Sequence, residues 1–416
     1  MATPSVETTP ISENVGLIAR FFRGAKWYGA EWYITVSGGI ILILILLMTI
    51  LAPHLAPHDP VKPVGSPFTA PGGGRQVLIV PTGEETVQKP TDLAGVLVGV
   101  RANSTGQFRA LELEAEVKKF YEIEECFQAL AEGQVDAVVV EEHLVPEFMP
   151  AYGDQLKQVG ESFGQTFALG TDNLGRDVLS RVVFGARAVL LVAVLSASFS
   201  ALVGVPTGLL SGFIGGAVDR VLSLVMDSVY SFPGLILAIA MAAVLQLRMQ
   251  QILENVMAAI GLSLSGDQIA VMTGTMTTTV AIAVVYMPTF FRMVRGQVLA
   301  IKQQLYVEAA HSLGAKATTI LRQYIFPNVI ASIVVIFSVN IADAILTEAG
   351  LSFLGFGVPP PHATWGNILS DGKRFIFDAP WLTFVPGFAI LIVVLSFNLF
   401  GEGLRDILNP KLRERY

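Results

Sequence analysis

Six stretches of the chain carry no charged side chain and are long enough to cross a hydrocarbon layer about 30 Å thick: Ile34–Ala52, Ala188–Val218, Ser228–Leu247, Ile269–Phe291, Gln323–Ala342 and Ala379–Gly401. Each predicts a membrane-spanning helix, so the fold class is an α-helical integral membrane protein, and an even number of crossings returns the chain to its starting side. Trp27, Tyr28, Trp32 and Tyr33 stand before the first run as an interfacial aromatic belt. Residues 1–33 form a mixed-charge tail too polar for a signal peptide, and no small-residue cleavage site follows the first run.

A polar interval between two long apolar segments is Tyr306–Asn328, YVEAAHSLGAKATTILRQYIFPN. Good helix formers at Glu308, Ala309 and Ala310 predict a short helix over Val307–Leu313, which Gly314 stops. A second helix is expected from Ala315 to Pro327, with Pro327 blocking α-structure behind it. Such a bent, rigid element offers a lever with one fixed negative charge, Glu308.

The order Glu308-Ala309-Ala310, Gly314, Ile325-Phe326-Pro327 resembles the EAA loop of binding-protein-dependent ABC importer permeases, with Phe326 where Leu is usual. The bland alternative is a helical hairpin that falls between spans. The resemblance implies a type I permease fold of six transmembrane helices and a loop whose short helix docks into a groove on an ATPase subunit. It further implies a second permease subunit, two ATP-binding subunits and a solute-binding protein as partners.

Composition agrees with the spans: 52% hydrophobic, 15% charged, and a mean hydropathy of +0.59 over 416 residues. A single cysteine, Cys126, excludes an intrachain disulfide framework and a cysteine-based metal site. Residues 73–164 hold 16 acids against 7 bases, so that block at −9 outweighs the whole-chain charge of −7. The membrane part is slightly basic, and its bases choose a side. Arg20, Arg23 and Lys26 in the tail (beside Glu7, Glu13 and Glu31), then Arg292, Arg295, Lys302, Lys316 and Arg322, then Arg405, Lys411, Arg413 and Arg415 predict cytoplasmic termini and a cytoplasmic 306–328 loop. Arg176, Arg181 and Arg187 fall on the outer side, where Asp172 and Asp177 offset them. The expected location is a bacterial inner membrane.

Between the first two spans the pattern changes. APHLAPHDPVKPVGSPFTAPGGG reads as an extended, semi-rigid linker. Pro53 and Pro57 spoil the helix that would aim His54 and His58 at one metal, so exposed linker is the expectation. Short β-branched runs at Gln76–Val80, Val96–Val100 and Val135–Val140 alternate with helical patterns at Phe108–Lys119 and Glu124–Glu132, which predicts an α/β module. DLAGVLVGVRANSTG, EECFQALAEGQVDAVVVEE and LKQVGESFGQTFAL resemble one lobe of a periplasmic amino-acid-binding protein. The resemblance implies ligand contacts at Asn103, Ser104, Thr105 and Glu141. The alternative is a vestigial or docking lobe whose Ser104 and Thr105 merely cap a helix.

Thr171–Asp177 with Ser180-Arg181 resembles the oligopeptide and dipeptide permeases, where the flanks of the lobe would be nearly contiguous; these residues read as interfacial packing. Tyr230–Gly234 resembles the start of that group's third helix, Asp219–Pro233 reads as a short cytoplasmic crossing, and the amphipathic QQILENVMAAIGL as a segment lying on the outer surface. Asp343 and Glu348 stand in an apolar setting; acids at membrane depth face protein or a water-filled path. They are expected to border the translocation cavity or to pair with a partner permease.

No phosphate-cradling G-x-x-x-x-G-K-[ST] loop, no H-E-x-x-H, no G-x-S-x-G and no basic patch for nucleic acid occur. ATP hydrolysis is therefore expected on separate subunits, with no catalytic residues, cofactor or metal here. The expected organisation is a tail (1–33), a first span with linker (34–72), an inserted periplasmic lobe (73–167) and a five-span core (168–416). Peptides or similar small solutes are the implied cargo. A ligand sensor using the outer lobe is the alternative, but it would need a cytoplasmic signalling domain. A secondary transporter would show internal repeats.

Overall fold

The computed structural model describes residues 17–408 apart from Asn103. Glu7, Glu13, Asn103, Lys411, Arg413 and Arg415 lie outside the described residues. Among the described residues six helices are long and apolar enough to cross a membrane, and each contains one of the expected runs or most of it.

Helix α1 (Leu17–Ile50) begins well before its uncharged half, so the helix continues into what reads as tail. The lobe follows. It is a five-stranded sheet of β1 (Gln76–Pro81), β2 (Leu97–Arg101), β3 (Glu116–Phe120), β4 (Ala137–Glu141) and β5 (Leu156–Phe163), in the order β3-β2-β4-β1-β5. Helices α2 (Thr105–Glu112) and α3 (Ile123–Ala131) make the two parallel crossovers, while β1 pairs antiparallel with β4 and β5. Alternation does the sorting: Val77 and Ile79 face Phe127 and Leu130 in one apolar layer, Leu78 and Val80 face Val98 and Ala110 in the other. The helix expected through Lys119 ends at Glu112, because Glu114 takes φ +57 and Glu116–Phe120 then pairs with β2. Local helix propensity loses to the ladder.

The linker, expected to be extended throughout, opens with a helical turn at Ala52–Leu55, where Pro53 sits in the first turn and costs no hydrogen bond; beyond it the chain is not helical and not free. Val64 and Gly65 donate to the Gly175 carbonyl at 2.9 and 3.0 Å, Phe68 to Asp172 at 3.1 Å and Gly72 to Phe167 at 2.8 Å. The two strands of the lobe's stem are thus stitched together and onto the start of the core.

The core contains α4 (Val178–Ile214), α5 (Gly216–Tyr230), α6 (Gly234–Ala259), α7 (Gly266–Lys302), α8 (Leu305–Ser312), α9 (Phe326–Phe353), α10 (Trp365–Gly372) and α11 (Trp381–Leu408). Its backbone is the parallel pair α4 and α7. Ser196 and Ser200 donate to the carbonyls of Thr279 (3.2 Å) and Ala283 (2.9 Å), and Gly204, Gly208 and Gly212 continue the stripe every fourth residue. A Cβ at Gly204 or Gly208 would stand 2.6 or 2.7 Å from the carbonyl oxygens of Met287 and Phe291. Small residues let two helices meet at backbone distance, where dispersion and these hydroxyl bonds replace the hydrophobic drive absent in lipid.

Two expectations change here. The third crossing is not one helix from Ser228: α5 ends at Tyr230, Ser231–Pro233 break the helix, and α6 starts at Gly234 with Pro233 as its N-cap. The amphipathic segment expected to lie on the outer surface is instead the continuous end of α6, through Ala259.

Candidate functional site

The loop between α7 and α9 is built on an apolar root. Val307 and Ala310, one helical turn apart on α8, are both buried, and Val307 packs in one cluster with Val298 and Ile301 of α7, Ile320 and Ile325 of the segment that follows the loop, and Val329 of α9. The opposite face is bare: Glu308 and Ala309 are exposed, and Leu305 and Leu313 are 82% and 88% exposed. Gly314 closes the helix at φ +81, a left-handed position that glycine takes without strain, and Ala315 donates to Ala310 at 3.0 Å. Beyond it the chain does not form the separate second helix. A turn at Ala317–Thr319 runs into a π-helical turn, Ile320–Ile325, and then directly into α9. Pro327 sits in the first turn of α9, where its missing N–H leaves no bond unmade, so it starts a helix instead of ending one.

Helix α5 braces the same end of the bundle. Arg295 grips Asp219 with both guanidinium edges, Nη2 at 2.8 Å from Oδ2, and Arg292 reaches Asp227 at 2.7 Å while its guanidinium lies 3.8 Å from the Tyr230 ring centre. The Arg295 and Ser211 hydrogen bonds hold the Asp219 carboxyl well below the usual carboxylate range. These pairs were hidden in the sequence because their partners are some seventy positions apart; two acids eight residues apart on an amphipathic helix were the available signal.

At the lobe end a second ionic cluster is buried. Asp172 receives Arg176 at 2.7 Å and Arg181 at 3.3 Å, and both arginines reach Asp371 of α10 at 3.5 and 3.6 Å. Arg181 also donates to the carbonyls of Pro60 and Pro361, at 3.3 and 3.4 Å. Burial lifts the Asp371 carboxyl above its ordinary value although the two guanidinium groups oppose this. Asp177 caps α4 by accepting from Ser180, and His58 packs beside it with Nε2 2.6 Å from Gln165 Oε1. His58, expected on exposed linker, is therefore part of the stem's joint.

In the lobe, Ser104 caps α2 by accepting from the Gln107 N–H at 3.2 Å. Thr105 bonds Ser66 of the stem, hydroxyl to hydroxyl at 2.7 Å, and all three side chains are buried. Glu141 is buried as well and lies 3.6 Å from Arg101. The turn singled out for ligand contact thus faces the stem.

The two acids of α9 differ. Glu348 is fully enclosed by its own chain, accepts from Ser352 at 2.6 Å and leaves its second oxygen without a partner. Asp343 is half-buried, and Tyr286 bonds its backbone carbonyl (3.2 Å) and Thr347 (2.8 Å).

Residues 204–414 match the family described as "Binding-protein-dependent transport system inner membrane component", and residues 34–70 match "N-terminal TM domain of oligopeptide transport permease C". A glutathione transport system permease protein of Pectobacterium atrosepticum is 36% identical over 272 residues, 65% of this chain and 81% of that one. A dipeptide transport system permease protein of Alkalihalophilus pseudofirmus is 36% identical over 244 residues, 59% of this chain and 72% of that one. Among solved structures, an ancestral arginine-binding protein is 27% identical with a TM-score of 0.22, covering 31% of this chain and 54% of its own. The arginine-bound protein of T. maritima is 24% identical with a TM-score of 0.21, covering 25% and 50%. The chain spans about half the length of these two binding proteins.

Proposed function

The chain belongs to the family of binding-protein-dependent inner-membrane permeases of ABC importers, and from that membership we propose how it works. It is a multi-pass membrane subunit. With a second permease it encloses a path for peptides or similar small solutes, in line with the glutathione and dipeptide systems named for its relatives. The basic loop Arg292–Arg322 and both termini face the cytoplasm. There α8 seats in an ATPase subunit, and closure of two such subunits on ATP rocks this permease against its partner.

One observation carries the reading: α8 is rooted by Val307 in an apolar cluster shared with α7 and α9, with Ala310 buried one turn on, while Glu308, Ala309, Leu305 and Leu313 are exposed. Force applied to the bare face reaches two spanning helices through packed side chains. Glu308, Ala309, Ala310, Gly314 and Pro327 serve as contact, root and hinge of that lever. Asp343 lines the path, whereas the enclosure of Glu348 favours a role in holding α9 to its neighbours. The Ser66–Thr105 bond supports a lobe fixed to the permease, acting as a docking unit without a ligand of its own. The domain limits 73–167 and 168–416 follow the stem.

Changing Glu308→Arg and Gly314→Val together is expected to remove the ATPase subunit from the purified complex at least tenfold. Glycine at φ +81 replaced by a β-branched residue adds about 1–2 kcal/mol of strain, and the charge reversal acts on the contact itself. Full retention of the ATPase at wild-type stoichiometry would count against the reading.

A further inference from the structure

We propose that Asp343 is the path's receiving group for the cationic end of the solute, an ammonium or comparable organic cation; this deepens the permease reading and rests on it. Asp343 lies well inside a spanning helix whose one other acid is the enclosed Glu348, ten residues before the helix ends at Phe353. A carboxylate at that depth persists where it meets a counter-charge or a water-filled cavity. Among the described residues Asp343 forms no ion pair, and the arginines of the neighbouring helices are engaged elsewhere: Arg292 with Asp227, Arg295 with Asp219, Arg181 with Asp172 and Asp371.

Two further features gather at this level. Tyr286 and Thr347 exchange a hydroxyl bond beside it, and Tyr286 also takes the Asp343 carbonyl, which fixes this stretch of α9 against α7 and leaves the carboxylate half-open. The third crossing breaks nearby. Gly234, the first residue of α6, lies against Val285, next to Tyr286, and Leu235 lies against Gly350, two turns along α9 from Asp343. Ser231, Phe232 and Pro233 are all exposed there. Non-helical backbone at membrane depth is tolerated where protein or a water-filled cavity covers it. Of the two acids of α9, Asp343 is the half-open one and Glu348 is enclosed, so the group that Asp343 favours is positive, and an anionic end is turned away.

The test uses the whole importer in vesicles, with Leu346→Cys, one turn from Asp343 and half-exposed, as the reporter. Cys126 is silent, since burial pushes its thiol up to about 12. The probes are the trimethylammonium-ethyl and sulfonatoethyl methanethiosulfonates, their rates normalised to a free thiol. One sign of charge in a confined cleft raises the local concentration of the opposite sign by about 10-fold or more. The expected cation-to-anion rate ratio is at least ~10, falling toward one with Asp343→Asn and kept with Asp343→Glu. A thiol deaf to both reagents, which places this face against lipid or a partner subunit, overturns the proposal, and so does a ratio that Asp343→Asn leaves unchanged. Co-purification of the ATPase and the second permease is scored on the same samples. Its loss in the unmodified protein speaks against the permease reading, whereas the labelling ratio speaks only to Asp343.

Discussion

Replacing Gly208 with leucine is expected to leave the chain unable to hold its bundle together. A Cβ there stands 2.7 Å from the Phe291 carbonyl oxygen and 3.0 Å from the Val294 Cβ, and neither rotates away. Relief requires α4 and α7 to separate, which also opens the contacts at Gly204 and Gly212 and stretches the Ser196 and Ser200 bonds. Overpacking commonly costs about 1–3 kcal/mol, and a clash with backbone inside a five-residue stripe belongs at or above the top of that range. Thermal unfolding of the purified complex reports it, and little folded protein is expected. Gly296→Leu, on α7 with open space around its Cβ position, provides the control and should shift stability by no more than about 0.5 kcal/mol. Equal behaviour of the two variants would mean that the α4–α7 contact does not hold the core.

Val307→Asp is expected to disconnect the lever while sparing the spans. Val307 is 3% exposed, in a cluster with Val298, Ile301, Ile320, Ile325 and Val329. An uncompensated buried charge costs about 3–5 kcal/mol, so α8 swings off its root, since it has only eight residues and little stability of its own. Solute uptake should fall more than about 100-fold, the factor that some 3 kcal/mol of lost seating implies. Complex formation with the second permease should persist. Isosteric Val307→Thr, which keeps the volume but buries a hydroxyl, should fall between. Uptake within a factor of two of wild type in Val307→Asp would show that the root transmits no force.

The spans and the short helix α8 with its glycine stop were legible from the chain for a simple reason: lipid admits only long uncharged helices, and a left-handed turn at Gly314 leaves few alternatives to glycine. The strands of the lobe were legible where both faces are buried, as at Val77–Val80 and Ala137–Val140. What remained hidden depends on partners distant in sequence. The charged ends of α7 read as loop because Arg292 and Arg295 look costly near a membrane, yet Asp227 and Asp219 meet them. β3 read as helix because Glu116–Lys119 favour one in isolation, while the β2 ladder supplies its hydrogen bonds. Pro327 read as a stop because proline breaks helices from within, but at a first turn it starts them. His58 and Ser66 read as free linker because nothing local shows that Ser180, Gln165 and Thr105 await them.

The lever's side of the membrane decides the rest. With Leu313→Cys, 88% exposed at the tip of the loop, a membrane-impermeant maleimide should label inverted vesicles and spare intact right-side-out ones, and the bound ATPase should shield the thiol. Labelling of right-side-out vesicles, or labelling of inverted vesicles that the ATPase leaves undiminished, would contradict a permease driven from its cytoplasmic loop.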